Sequence, residues 1–263
     1  GLGKGIFAVK APPFTDAELP ETVNKVQALR LEIPCLSSDC CLKFAQKAEE
    51  NKKEISEYIA LAQKLSAPYI RILADLAPMP QGEVDDEAVL AQLRELAPLA
   101  EKAGVTLLVE TNGVYADTAR LRRLLEQLSS DSVAALWDMH HPYRFMGETP
   151  EQTVQNLGAY IKYVHVKDSV MQDGQVEYRM MGGGGLPIHE MMMALRSICY
   201  EGYVSLEWVK RWAGNLSDAG IVFPQFVHYM ENYTGRDSAR STLFTNKAGT
   251  GKYIWEKDIL IDL

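Results

Sequence analysis

One unit recurs along the chain: a short run rich in aliphatic and β-branched residues, then a longer stretch with apolar residues three or four apart, then another short run. The short runs, at residues 5–10, 32–37, 69–74, 106–110, 134–139, 163–167 and 203–208, read as strands. Between them, Ile55, Ile59, Ala62 and Leu65 form one helical stripe, and Val89, Leu93, Leu96 and Ala100 a second. Leu121, Leu124, Leu125 and Leu128 form a third, and residues 223–233 carry the last helical pattern. Lys102-Ala103-Gly104 closes the second helix with a basic last turn and a glycine suited to the left-handed cap.

Alternation of strand and helix implies a mostly parallel sheet covered by helices. The sheet is either open and doubly wound or closed. No G-x-G-x-x-G follows the first strand run and no G-x-x-x-x-G-K-[ST] occurs, which removes support from the nucleotide-binding open sheets. Chemically capable residues stand at the ends of several strands in succession, which suits a closed barrel. The expectation is an α/β protein with a (β/α)8 TIM barrel. Seven strand runs where eight are needed imply a first βα unit that is missing or modified. Residues 1–240 are assigned to the barrel and 241–263 to a C-terminal linker or arm. Both ends suggest a domain cut from a longer chain, with fusion to another domain expected.

The composition adds limits. With 47% hydrophobic and 24% charged residues, the 263-residue chain is an ordinary globular one, expected in the cytoplasm. No apolar run approaches the ~20 residues of a membrane span. A net charge of −8 with scattered acids argues against a nucleic-acid partner. Cys35, Cys40, Cys41 and Cys199 have no metal-ribbon or C-x-x-C spacing and read as reduced thiols.

Four metal-ligand types close four consecutive strands: Glu110, Asp138, His165 and Glu207. The spacings of 28, 27 and 42 residues lie near the ~31 expected of a barrel unit. The widest gap holds residues 169–185, read as a polar, glycine-rich loop over the mouth. Side-chain alternation sorts the polar and aliphatic sets. With Glu110 inward, Leu107 and Val109 face out; with His165 and Lys167 inward, Val164 and Val166 face out. With Glu207 and Ser205 inward, Val204 and Leu206 face out. Three carboxylates and an imidazole suit one divalent ion, which the donor types leave open among Mn²⁺, Mg²⁺, Co²⁺ and Zn²⁺. Lys167 is expected beside the ion with a lowered pKa, either holding a substrate hydroxyl and shuttling a proton or simply bridging the acids. His141 is assigned to substrate contact, with metal ligation or a loop cap as alternatives. Arg71 and Trp208 are placed at the mouth, each with a packing or ion-pair alternative.

Glu110, Asp138-x-x-His141, His165-Val166-Lys167-Asp168 and Ser205-Leu206-Glu207-Trp208 together resemble the xylose isomerase-like TIM-barrel superfamily, and within it the sugar phosphate isomerase/epimerase group. The similarity runs from about residue 5 to residue 233. It implies that Glu110, Asp138, His165 and Glu207 bind one divalent ion, often Mn²⁺, and that the two glutamates double as acid/base groups. The family places its first glutamate ligand on the fifth strand; here Glu110 is on the fourth that can be counted, in keeping with a missing first unit. Two departures put the substrate in doubt: Gly182-Gly183-Gly184-Gly185 replaces a Gly-Glu-Gly, and the arginine expected soon after the histidine ligand appears only at Arg179, which is assigned to substrate binding with His141, Arg71 and Trp208. The implied function is metal-dependent isomerisation or epimerisation of a small sugar, keto-sugar or polyol through an enediolate, in a protein that forms homo-oligomers. Alternatives are a dehydratase of the same superfamily and a non-catalytic barrel domain. The three-zinc DNA-repair branch is set aside, because no histidine precedes His140.

Overall fold

The computed structural model describes residues 8–211, 213–236 and 253–255. Helix α1 (Leu19–Ala28) is followed by β1 (Cys35–Cys41), α2 (Ala48–Leu65), β2 (Tyr69–Leu73), α3 (Asp86–Ala103), β3 (Thr106–Glu110), α4 (Thr118–Leu128) and β4 (Val133–Asp138). Two short helices, α5 (His140–Met146) and α6 (Pro150–Leu157), lead to β5 (Ile161–Val166). A hairpin, β6 (Asp168–Gln172) and β7 (Gln175–Arg179), comes before α7 (Ile188–Ser197), β8 (Val204–Leu206), α8 (Ala219–Arg236) and β9 (Tyr253–Trp255). The main sheet runs β1-β2-β3-β4-β5-β8-β9 with every pairing parallel. Its curled parallel strands, with helices outside them, form an α/β barrel with a partial first unit.

The three helical stripes pack as their spacing demands. Ile55, Ile59 and Ala62, then Val89, Leu93, Leu96 and Ala100, then Leu121, Leu124 and Leu125 are all buried, with Leu65 and Leu128 half-buried beside them. The Asp85 carboxylate caps α3 by accepting from the Glu87 and Ala88 amides, and Gly104 ends it at φ +67°.

The strands separate two apolar layers. Leu107, Val109, Ala135, Trp137, Val164, Val166, Val204 and Leu206 join the core beneath the helices. Cys35, Leu108, Ala134, Leu136 and Tyr163 form a separate cluster inside the barrel, with Tyr69 and Tyr203 against it. Two residues further along the same strands stand Arg71, Glu110, Asp138 and His165. Alternation thus gives the barrel a dry aromatic floor and a charged layer above it.

Four expectations change. Residues 8–10 of the first strand run form a 3-10 turn (Ala8–Lys10), while residues 5–7 lie outside the described residues. Pro12 and Pro13 follow after Ala11 and bring no N–H to a ladder, so the segment folds into successive turns. Glu110 is therefore on the third strand among the described residues. The strand expected at 32–37 begins only after Pro34 and runs to Cys41, with a register irregularity between Ser37 and Cys41. The stretch 169–185 is not all loop: Asp173 (φ +50°) and Gly174 (φ +75°) turn an antiparallel hairpin. That Asp-Gly pair is a hairpin signal readable in the sequence. Of the expected arm, Tyr253–Trp255 adds a strand beside β8, and the rest of 241–263 lies outside the described residues.

Leu93 is fully buried on α3. Leu93→Ala should lower the free energy of unfolding by about 2–5 kcal/mol, read from urea denaturation. A loss under about 1 kcal/mol would mean that this helix face is not packed on the sheet.

Candidate metal centre

Parallel pairing in register brings the strand ends together. Asp138 stands directly across from His165, and Glu110 across from Leu136. The chain then leaves each strand held by a further bond: the Thr111 amide donates to Leu136 O (3.0 Å), Met139 N to His165 O (3.0 Å) and Glu207 N to Val166 O (2.9 Å). One ligand atom from each of Glu110, Asp138, His165 and Glu207 lies within 4.8 Å of the other three, and all four residues are buried. Ligands about 2.0–2.2 Å from an ion stand at most about 4.4 Å apart, so a shift of a few tenths of an ångström would close the set on a divalent cation. The donor set fits such an ion.

The surrounding groups hold this arrangement. Thr111 Oγ accepts from the Asp138 amide (2.9 Å) and donates to the Asp138 carbonyl (3.2 Å). His141 Nδ1 donates to Thr111 O at 3.0 Å, leaving Nε2 3.6 Å from Asp138 Oδ2. His165 Nδ1 lies 3.5 Å from Glu110 and 4.0 Å from Asp138. Arg71 Nε is 3.3 Å from Glu110 Oε2. Lys167 donates to Asp138 Oδ2 and, at 2.6 Å, to Glu207 Oε2. An ammonium thus lies between two of the carboxylates that would bind the ion.

A cavity of about 600 Å³ opens above this layer, and Arg71, Glu110, His141, Lys167 and Glu207 all line it. Tyr178 and Asn112 line it too, and the sequence reading named neither. Tyr178 comes with the hairpin, so an overlooked turn hid it. Arg179 and Trp208 are placed elsewhere. Arg179 pairs with Glu177, on the face of β7 opposite Tyr178. Trp208 follows the inward Glu207 and so faces outward, where its Nε1 donates to Ser217 O (2.9 Å) within the outer core.

The glycine-rich segment has a structural reason. Both oxygens of Asp168 accept backbone amides, from Ser169 (2.8 Å), Gly182 (3.1 Å), Gly184 (2.9 Å) and Leu186 (3.2 Å). A Cβ on Gly184 would lie 2.0 Å from Asp168 Oδ1. The residue after Lys167 therefore ties the segment between β7 and α7 to the rim.

A family model described as Xylose isomerase-like TIM barrel matches residues 3–222. The chain belongs to that family. Its fold is similar to that of L-ribulose 3-epimerase (TM-score 0.70, 19% identity, covering 87% of this chain and 84% of that one). It is similar also to the probable 3-DHS dehydratase AsbF of Bacillus anthracis (TM-score 0.68, 17% identity, 82% of each chain). A third likeness is to a xylose isomerase-like TIM barrel protein from Mycobacterium smegmatis in complex with magnesium (TM-score 0.67, 16% identity, 83% and 78%). No curated protein sequence matches significantly. At these identities the structural likeness is one of fold.

Burial alone would raise the Glu110 pKa. The Arg71 guanidinium and the His165 ring outweigh it, against Glu207, and hold the group at about 2. The lowering expected for Lys167 belongs to a site holding a cation; with the carboxylates alone the balance runs the other way. Burial disfavours its charge, but Asp138 and Glu207 contact the ammonium directly and push its pKa above the ordinary value. Burial lowers the His141 pKa despite Asp138 beside it, which favours the neutral ring.

Two predictions follow from these charges. Glu110 ionises near 4.3 when unfolded and near 2 when folded, so its stabilisation is complete above about pH 4.3 and is lost as the pH falls through about 2. Arg71→Met raises the folded value, so acid unfolding followed by circular dichroism should move to higher pH; an unmoved midpoint would remove Arg71 as the counter-charge. Lys167→Met strips a buried ion pair, costing the metal-free protein about 3–5 kcal/mol. It should also tighten Mn²⁺ binding in calorimetry at least tenfold, because a competing cation is gone; weaker binding would contradict the competition.

Proposed function

We propose that the protein is a divalent-metal-dependent isomerase or epimerase acting on a small sugar, keto-sugar or polyol through an enediolate. The convergence of Glu110, Asp138, His165 and Glu207 within 4.8 Å at the base of a cavity carries the reading. Family membership supports it, and so does the resemblance of the fold to L-ribulose 3-epimerase. The oxygen-rich donor set suits Mn²⁺ or Mg²⁺, and the similar structure with magnesium points the same way. When bound, the ion would polarise a carbonyl and its neighbouring hydroxyl and stabilise the negative charge of the enediolate.

The chain's own residues supply the proton chemistry. Glu110, kept ionised by Arg71 and His165, is fitted to accept a proton from the carbon beside the carbonyl. Glu207, which also lines the cavity, exchanges protons on the second face. Lys167 holds a substrate oxygen by an N–H donor, and neutral His141 orients a hydroxyl. Each acid/base step contributes roughly 10²–10⁴-fold. The buried floor of Leu108, Leu136 and Tyr163 keeps water from entering beneath the site.

A dehydratase is the second reading. The same ion and carboxylates would support loss of a hydroxyl from the enediolate, with Lys167 holding the departing oxygen by an N–H donor, and the fold likeness to AsbF is compatible with that outcome.

The test is a panel of ketoses and keto-polyols in D₂O with added Mn²⁺, with and without chelator. Metal-dependent deuterium uptake at the carbon beside the carbonyl is expected, and Glu207→Gln should reduce it by at least about 10²-fold. Isomeric products support the first reading and loss of water the second. Unchanged exchange in Glu207→Gln would remove that residue from the chemistry.

A further inference from the structure

The hairpin between β5 and α7 brings Tyr178 to the cavity, and the proton chemistry above gives it no task. A polar, half-exposed hairpin is ordinarily among the looser parts of a fold, yet the residue opposite Tyr178 is pinned. Ser169 pairs with Tyr178 across the ladder. Its amide donates to Asp168 Oδ1 (2.8 Å), and its carbonyl accepts from the Gly185 amide (2.8 Å) and from Arg144. Its hydroxyl accepts from Arg144 Nε (3.0 Å) and lies 2.9 Å from His140 Nε2. Ser169 and His140 are both fully buried. The His140 ring packs on the Tyr178 ring, with centroids 5.7 Å apart and planes tilted by 34°, and meets Phe145 edge-on at 5.5 Å. Backbone pairing and the imidazole together fix where the phenol points.

The phenol's hydroxyl is unspent. Among the described residues it makes no hydrogen bond, whereas a part-buried tyrosine O–H usually has a partner. The other donors of the site are committed. Lys167 divides its N–H groups between Asp138 and Glu207, and His141 Nδ1 is bonded to Thr111 O. Tyr178 also feels the charges of that layer. Burial raises its pKa, Lys167 lowers it, and Glu207 and Asp138 raise it, so the group stays protonated at neutral pH. A neutral O–H suits an oxygen that gains negative charge during a reaction. It stabilises that charge without setting another full charge beside Lys167 and an ion.

We infer that Tyr178 is a catalytic residue of the metal-dependent reaction proposed above, on which this inference rests: its hydroxyl donates a hydrogen bond to the substrate oxygen beside Lys167. The bond strengthens as the enediolate takes up negative charge. The phenol keeps its proton throughout, and Glu110 and Glu207 move the protons on carbon.

The test uses a stable stand-in for the enediolate. Glycolohydroxamate chelates a divalent ion through two neighbouring oxygens that carry negative charge. The full chain is titrated in a calorimeter with Mn²⁺ alone, and the loaded protein is then titrated with glycolohydroxamate. Tyr178→Phe removes the O–H and keeps the ring on His140, so circular dichroism and Mn²⁺ affinity should be unchanged. Its affinity for the hydroxamate should fall about tenfold to a hundredfold, the worth of one hydrogen bond to a charged group. Hydroxamate binding to the loaded wild-type protein should also give the ultraviolet difference spectrum of a newly hydrogen-bonded tyrosine, and Tyr178→Phe should give none. A ring that only packs would leave affinity and spectrum alike in both proteins, and that result would overturn the role of Tyr178. A fall in Mn²⁺ affinity on Tyr178→Phe would overturn it too, because the residue would then act through the ion site. Failure of the wild-type protein to bind Mn²⁺, or of the loaded wild type to bind glycolohydroxamate, would instead overturn the metal-enediolate reading.

Discussion

Burying Glu110, Asp138 and Glu207 in one place is affordable only because cations meet them, and much of the molecule is arranged around that constraint. Isolated buried carboxylates would be protonated or would unfold the site. Arg71, two residues beyond Tyr69 on β2, reaches Glu110; Lys167, just past the end of β5, reaches Asp138 and Glu207. These ion pairs are fully inside the protein, so their worth depends on geometry, and the parallel register supplies it. The same balance leaves room for a divalent ion, whose charge would relieve the carboxylates that Lys167 now serves.

The segments that follow the strands turn this charged layer into a site. Asp75 accepts two backbone amides and Asp168 four, and each has a glycine pressed against it where no Cβ fits. They work as anchors: one fixes the segment after β2, the other the segment after the hairpin. Rigid walls matter for chemistry in which a proton leaves one face of a carbon and returns to another, because a small misplacement of the substrate costs rate steeply. The hairpin contributes Tyr178 to the cavity lining.

Much of this was legible in the chain. Leu93 and its stripe, the alternation of Leu108 with Glu110, and the succession of Glu110, Asp138, His165 and Glu207 at strand ends are local patterns, and local patterns survive in one dimension. The misses have local reasons too. The strand expected across residues 8–10 ignored the two prolines that follow, and the one expected at 32–37 ignored Pro34. The hairpin was hidden because its residues are polar and half-exposed, although Asp173-Gly174 marks its turn. Trp208 follows Glu207 and Arg179 follows Tyr178 in sequence, and strand alternation sends each to the face opposite its cavity-lining neighbour.

The sequence by itself determined the periodicities, and with them the alternating strands and helices, the inward and outward sets, and the chemical kinds of group available at the strand ends. Only the tertiary structure decided which groups meet: that Arg71 finds Glu110, that Lys167 bridges Asp138 and Glu207, and that Leu73 and Val209 line one cavity. The physical reason is range. Side-chain alternation and helical spacing depend on neighbours a few residues away, whereas charge pairing and cavity shape depend on distances across the barrel, which closure of the sheet alone sets.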